Sequence, residues 1–272
     1  MLADYLVVGH ITRDISNGRV RTGGCVYYGA ITAQKLGLSV AIVTSCPNGF
    51  NFPEEIKTRK IITVDSDDLT TFVNKYVSKD EMSDRSQTII STANKISIDD
   101  IPPSWRTIPF VHFAPLVNEL GPDVIQGFSN SFKVASIQGW TRKWDLEGNV
   151  SNFGWDGSDI LPHVDVAVCS REDINSDADL IRWKNMVPLL IVTNGRRGST
   201  LYSQGGCTNI DSVEAKQVDP TGAGDVFASS FIAKYRDTLD YEDSARFASF
   251  VAGMSVEGYG ASMVPSYGQL YS

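Results

Sequence analysis

The 272-residue chain holds four cysteines and three histidines. The cysteines, at 25, 46, 169 and 207, form no CxxC, and no histidine pair stands at zinc-ligand spacing. Neither a zinc site nor a disulfide framework is expected. Scattered thiols suit a reducing compartment, so the expected location is cytoplasmic. No lysine- or arginine-rich run occurs, and the net charge is −8, which argues against nucleic acid as a partner. No apolar run reaches the ~18 residues of a membrane span. The opening "MLADYLVVGH" has no basic n-region and reads as a first strand, not a signal peptide. Two phosphate-binding signatures are missing as well. There is no GxxxxGK[ST], which excludes a P-loop NTPase, and no GxGxxG after the first strand, which excludes the dinucleotide-binding arrangement.

What is present points to a folded α/β chain. Hydrophobic residues make up 42% and charged residues 21%, outside the range of disordered chains. The length suits one large domain, 1–272, or one domain with a small insert. Apolar, β-branched runs at 5–9, 40–45, 110–114, 133–137, 164–168 and 189–193 read as buried strands. Helical stretches at 26–36, 121–131, 156–162 and 176–187 fall between them. This alternation predicts a doubly wound, mainly parallel sheet flanked by helices. Residues 70–92 break the rhythm, alternating apolar and polar residues in two arms about a charged middle at 78–84. That pattern predicts a small antiparallel β hairpin, either a lid or a plain edge. Two amphipathic helices, 225–236 and 243–256, close the chain.

The chemistry concentrates where the first of these helices starts. In "VDPTGAGDVFASSF", Gly222, Ala223 and Gly224 precede Asp225 directly. The first amides of a helix have no intrahelical acceptor, the small residues let a ligand approach them, and the macrodipole adds positive charge. The result is an anion site suited to a phosphate. Read alone, Asp225 is a helix cap. Beside a phosphate cradle it is also a candidate base for an attacking hydroxyl. Pro220 fixes the entry to the turn, and Asp219 is placed to brace it.

"DPTGAGDVFASSF" resembles the C-terminal signature of the PfkB, or ribokinase-like, family of carbohydrate and nucleoside kinases. Other stretches follow in the family's order. "VGHITRD" (8–14) resembles its first strand and acidic residue, and "TGGCVYYGAITAQKLG" (22–37) its Gly-Gly motif. "CSREDI" (169–174) resembles its Asn-x-x-Glu segment. "VTNGRRGSTLY" (192–202) resembles its strand-turn-strand, and "FASFVAGMSVEGYGASMVP" (247–265) its closing helix and tail. The resemblance implies a ribokinase-like fold with a small β lid, and transfer of the γ-phosphoryl group of ATP, with Mg²⁺, to a substrate hydroxyl. Asp225 falls on the general base, and Gly222, Ala223 and Gly224 on the anion hole. Asp14, Gly23 and Gly24 fall on the substrate side. Ser170, Asp173, Thr193, Gly195, Gly198 and Ser249 fall on the nucleotide side, with Asp173 ordering water around the metal.

Departures from the pattern bear on the substrate. The Gly-Gly motif ordinarily carries an Asn that helps bind substrate, and here the place holds Tyr28, whose phenol cannot imitate an amide. Ser170 and Asp173 replace Asn and Glu, and Ser230 stands where Ala or Gly is usual. "IQGWTRKWD" (137–145) adds Gln138 and Arg142 after a strand end, where such sheets bind ligands. Trp140 reads as core packing more readily than as a stacking platform. The chain resembles the compact myo-inositol kinase subgroup in length, in the Tyr-Tyr after Gly-Gly, and in Gln-Gly…Arg. A cyclic polyol or sugar is therefore the expected acceptor. The alternatives are a nucleoside, a catalytically silent nucleotide- or sugar-binding protein, and a phosphomethylpyrimidine-type kinase. A monomer or a homodimer both fit.

Overall fold

The computed structural model describes residues 3–58, 60–76 and 85–270. Its strands, in chain order, are β1 (Tyr5–Val8), β2 (Thr12–Ser16), β3 (Arg19–Gly23), β4 (Val40–Cys46), β5 (Ile61–Asp65), β6 (Thr70–Tyr76), β7 (Arg85–Ser91), β8 (Phe110–Phe113), β9 (Phe132–Ser136), β10 (Arg142–Trp144), β11 (Val150–Asn152), β12 (Val166–Ser170), β13 (Leu189–Thr193), β14 (Ser199–Ser203) and β15 (Gly206–Ile210). The helices are α1 (Cys25–Lys35), α2 (Pro122–Gln126), α3 (Asp177–Lys184), α4 (Ala223–Thr238), α5 (Tyr241–Ser255) and α6 (Tyr267–Leu270).

Nine strands form one sheet in the order β15-β14-β13-β12-β9-β8-β1-β4-β5. Its pairings are parallel from β13 to β5 and antiparallel at the β13-β14-β15 end. Successive side chains of a strand point to opposite faces, and both faces are buried here. Tyr5, Val7 and Ile42 pack with α1, α4 and α5, while Leu6, Val8, Ala41 and Val43 pack with Val124, Ile125 and Trp183 from α2 and α3. This two-sided burial explains the continuous apolar runs of the strands. A buried polar chain crosses the α4 side. Tyr5 Oη lies 2.9 Å from His112 Nδ1 and 3.0 Å from Ser229 Oγ, and His112 Nε2 lies 2.8 Å from Ser136 Oγ. Burial pushes the His112 pKa down to about 3, so the ring is neutral and the chain carries no charge.

A second sheet of four strands, β3-β2-β6-β7, stands beside the first. The expected hairpin arms are β6 and β7, and they pair antiparallel. The expected turn at 78–84 lies outside the described residues. Two strands not foreseen from sequence, β2 and β3, complete this sheet, with β2 parallel to β6. Asp14 and Gly23 lie on them. The β10-β11 hairpin touches the same sheet, because the Ile89 N–H donates to the Gly148 carbonyl at 2.8 Å.

One expected helix is absent. Residues 156–162 form a turn leading into a short 3₁₀ segment, Leu161–His163. Gly157 takes φ +79°, the left-handed region, and Pro162 removes an amide, so a continuous α-helix cannot form. The helix expected over 121–131 is shorter, ending at Gln126.

Candidate active site

The start of α4 is the centre of the site. Gly222 caps the helix in the left-handed conformation, φ 80° and ψ 0°. A Cβ there would run into the Tyr28 ring, so the turn rests directly on that aromatic face. Asp219 shapes the approach, its Oδ1 accepting the Thr221 N–H at 3.0 Å. The Ala223 amide donates to the Pro220 carbonyl at 3.1 Å. Among the described residues this leaves the amides of Gly222, Gly224 and Asp225 as donors for an anion. Space around Gly224 is open.

The helices α1 and α4 start side by side. A Cβ on Gly29 would stand 3.1 Å from Ser229 Oγ, and four residues earlier on each helix Cys25 meets Asp225. The Cys25 thiol is 2% exposed and hydrogen-bonds to the Asp225 carboxylate. Asp225 keeps a partly accessible edge but sits deep among protein atoms. That desolvation pushes its pKa up to about 6. The Cys25 hydrogen bond and the Arg142 charge pull it down, and the Asp14 charge pushes it up. These effects bring Asp14, Cys25, Arg142 and Asp225 into one electrostatic neighbourhood. A carboxyl near 6 ionises just below neutral pH, the range in which a general base is efficient.

Asp14 lies on β2 and accepts the Thr12 hydroxyl at 3.1 Å. A Cβ on Gly23 would strike the Asp14 carboxylate, so any larger residue there pushes Asp14 from its position. Gly24, at φ +89°, then turns the chain into α1. Tyr28 is 5% exposed. Its pKa is raised first by burial, then by the charges of Asp219, Asp14, Tyr27 and Asp225. Its ring supports the glycine turn, a role that the missing Asn did not announce.

Gln138 and Arg142 fall on the other side. Gln138 lies in a 3₁₀ turn, Ile137–Trp140, and its side chain hydrogen-bonds to Asp173. Burial raises the Asp173 pKa, while Arg142, the Ser170 amide and Gln138 oppose the rise. Arg142 thus acts on both Asp173 and Asp225. Gln138 belongs structurally with Asp173 and joins the acceptor-side residues through Arg142. Ser170 is committed locally: its amide donates to Asp173 Oδ2 at 2.8 Å and its hydroxyl accepts the Glu172 amide at 3.3 Å. Thr193 stands opposite Ser170 in the sheet, and its hydroxyl donates to the Cys169 carbonyl at 3.2 Å. Gly195 and Gly198 have φ of +52° and +82° and form the turn into β14. Ser249 is half-buried on α5, and among the described residues no hydrogen bond joins it to this cluster. Trp140 is core, as its sequence context suggested. It is 3% exposed, stacked on Trp155 at 5.6 Å, with its Nε1–H donating to the Leu120 carbonyl.

The residue missed from sequence is Cys25. Its position directly after Gly-Gly was the available signal, since the turn at Gly24 aims the next side chain at Asp225. Among the described residues no group of three acidic, histidine or cysteine side chains can hold a metal. A Mg²⁺ that keeps its waters and reaches the protein through Asp173 and donor phosphates fits this sparse donor set.

Residues 152–266 match the model of the pfkB family carbohydrate kinases. Over that stretch the chain is similar to the pfkB family. A nucleoside kinase of Methanothermobacter thermautotrophicus is 35% identical over 38% of this chain. The match spans about a third of that relative's length (32%). An inositol 3-kinase of Arabidopsis thaliana is 25% identical over 94% of this chain and 74% of its own. The fold is similar to a pyrophosphate-dependent kinase in the ribokinase family, complexed with a pyrophosphate analog and myo-inositol. The TM-score is 0.81 at 20% identity, covering 98% of this chain and 99% of that one. The chain therefore has the ribokinase-like architecture throughout.

Proposed function

We propose that this protein is a phosphotransferase that moves a terminal phosphoryl group onto a hydroxyl of a sugar or cyclic polyol, myo-inositol first among them. One observation carries the reading. Asp225, held in the first turn of α4 beside open amides, shares its neighbourhood with a second carboxylate, Asp14, and a cation, Arg142. Asp14 accepts hydrogen bonds from the acceptor's hydroxyls, and Gly23 and Gly24 let the acceptor lie against backbone. The Asp225 carboxylate takes the proton from the attacking hydroxyl. The oxygen bonds to the terminal phosphorus, the bridging P–O bond breaks, and its electron pair leaves with the donor's remaining phosphate. The amides of Gly224 and Asp225 and the Arg142 guanidinium face the charge that moves. Asp225, now protonated, returns the proton to solvent. Bound Mg²⁺ supplies positive charge to the donor oxygens, with Asp173 the residue that would hold it through water. The side sheet carrying Asp14 is the lid of the site. The setting is the cytoplasm.

The donor proposed is ATP, on the nucleotide side formed by Thr193, Gly195, Gly198 and Ser249. Inorganic pyrophosphate is the second reading, and one contact favours it. Val213 is seated on Gly253 of α5, at the atoms where a Cβ would point. If the base of a nucleotide donor lies between the 211–218 segment and that helix, it has to part this contact, which pyrophosphate leaves in place. The relatives that are nucleoside kinases keep a nucleoside acceptor as the alternative. The test is a panel of polyols, sugars and nucleosides with Mg²⁺ and either ATP or pyrophosphate. Asp225→Asn should abolish transfer while leaving ATP binding nearly intact. Undiminished turnover in that variant would remove Asp225 from its role, and no transfer to any acceptor with either donor would remove the kinase reading.

A further inference from the structure

Arg21 lies on β3, directly opposite Asp14 on β2. Its side chain leaves the small sheet and reaches the segment that enters α4. Arg21 Nη1 stands 3.5 Å from Asp219 Oδ2, and the guanidinium lies 4.8 Å over the ring of Tyr259. Three separate pieces of chain meet there: the small sheet, the approach to the glycine turn, and the tail after α5. Asp219 is the fixed point among them. Its side chain is 8% exposed against 45% for Arg21. Its Oδ1 holds the Thr221 amide, and the amides of Val218 and Asp219 both donate to the Val256 carbonyl, at 2.7 and 3.1 Å. Gly222 follows three residues later, pressed on Tyr28.

We propose that Arg21 is a positioning residue for the glycine turn. It acts through Asp219 and touches no substrate. A largely buried carboxylate keeps its charge only with compensation, and Arg21 provides it from the sheet that also carries Asp14. The Tyr259 face holds the guanidinium in place by cation–π attraction. One strand thus fixes both the hydroxyl-binding carboxylate and, through this latch, the shape of the anion site. The catalytic consequence rests on the kinase reading, while the latch itself does not.

Amide hydrogen exchange on the ligand-free protein tests it, read over residues 219–227. Arg21→Ala removes the cation. Asp219→Asn removes the charge but keeps an oxygen for the Thr221 amide. Each should speed exchange in the turn by about two- to five-fold, the scale of a half-exposed ion pair. The double variant should exchange no faster than the faster single one, because both act on one contact. Arg21→Lys should recover part of the protection, and Tyr259→Leu should show a smaller acceleration. In assays with myo-inositol and MgATP, Arg21→Ala should lower kcat more than it raises the acceptor KM. Wild-type exchange in Arg21→Ala, or accelerations that add in the double variant, would overturn the latch. Exchange is read without substrate, so an absence of phosphoryl transfer would sink the kinase reading and leave the latch standing.

Discussion

Replacing Asp225 by Asn should make the protein inactive and more stable, and the stability gain should depend on pH. The folded carboxyl sits near 6 because burial costs its charged form more than Cys25 and Arg142 return. In the unfolded chain the same group titrates near its ordinary 3.8. The folded state therefore favours the protonated acid. Its contribution to stability is fully present below pH ~4 and is lost as pH rises through about 6. At pH 8 the wild-type protein carries the whole penalty of a buried charge, and Asn carries none. Moving a carboxyl from 3.8 to about 6 corresponds to about 3 kcal/mol. The accessible edge of Asp225 lets solvent screen part of that, which leaves about 1–2 kcal/mol. In a chain of this length the gain is about 2–8 °C in Tm. Thermal unfolding of both proteins from pH 4 to 8, beside phosphoryl-transfer rates, reads it directly. The gain should be largest at pH 8 and gone by pH 4. The wild-type kcat/KM should fall off on the acid side with a midpoint near 6. An Asp225→Asn protein that melts at or below wild type at pH 8, or whose gain persists at pH 4, would show that the carboxylate is not desolvated as described.

Three further outcomes follow from single contacts. Cys25→Ala removes a hydrogen bond that favours the ionised Asp225, so the acid limb of the pH–rate profile should move upward, and Cys25→Ser should bring it back. Gly222→Ala has to place a Cβ in the Tyr28 ring at a φ of 80°, and should lower stability by about 1–3 kcal/mol and transfer by more than tenfold. Denaturant titration of Gly222→Ala with and without Tyr28→Ala should show the second change returning stability but not activity. Lys35 Nζ donates to the carbonyls of Ala261, Ser262 and Val264 at 2.9, 3.3 and 2.8 Å. Lys35→Met should therefore leave two part-buried acceptors to solvent, cost about 0.5–1.5 kcal/mol, and open the chain beyond residue 260 to limited proteolysis.

The six central strands of the main sheet were legible because they are buried on both faces and so appear as unbroken apolar runs. The sheet edges β5 and β15, and β2, β3, β10 and β11, escaped notice for the opposite reason. "TRDIS" and "RVRTG" are polar, half-exposed strands of a small sheet, and their pairing comes from neighbours distant in sequence, such as Asp14 against Phe72. The false helix at 156–162 shows the limit of periodicity when a glycine adopts φ +79° within it. Site residues divide along the same line. The turn ahead of α4 announced itself because its pattern is local, a helix start with small residues before a carboxylate. Cys25 and Arg21 did not, because what they do depends on long-range contacts, 25 against 225 and 21 against 219. Tyr28 reads from sequence as a substrate-side residue in place of an amide and as part of the Tyr-Tyr motif. In the structure its ring is the surface on which Gly222 lies. A glycine at that position does two jobs with one missing Cβ, since it permits the left-handed turn and it admits an aromatic ring beneath it. On the proposed reading, a change at 28 that widens the acceptor side also removes the ring on which Gly222 lies. Altered acceptor specificity should consequently arise more readily at side-sheet positions such as Phe72 and Asn74 than in the Tyr-Tyr motif itself.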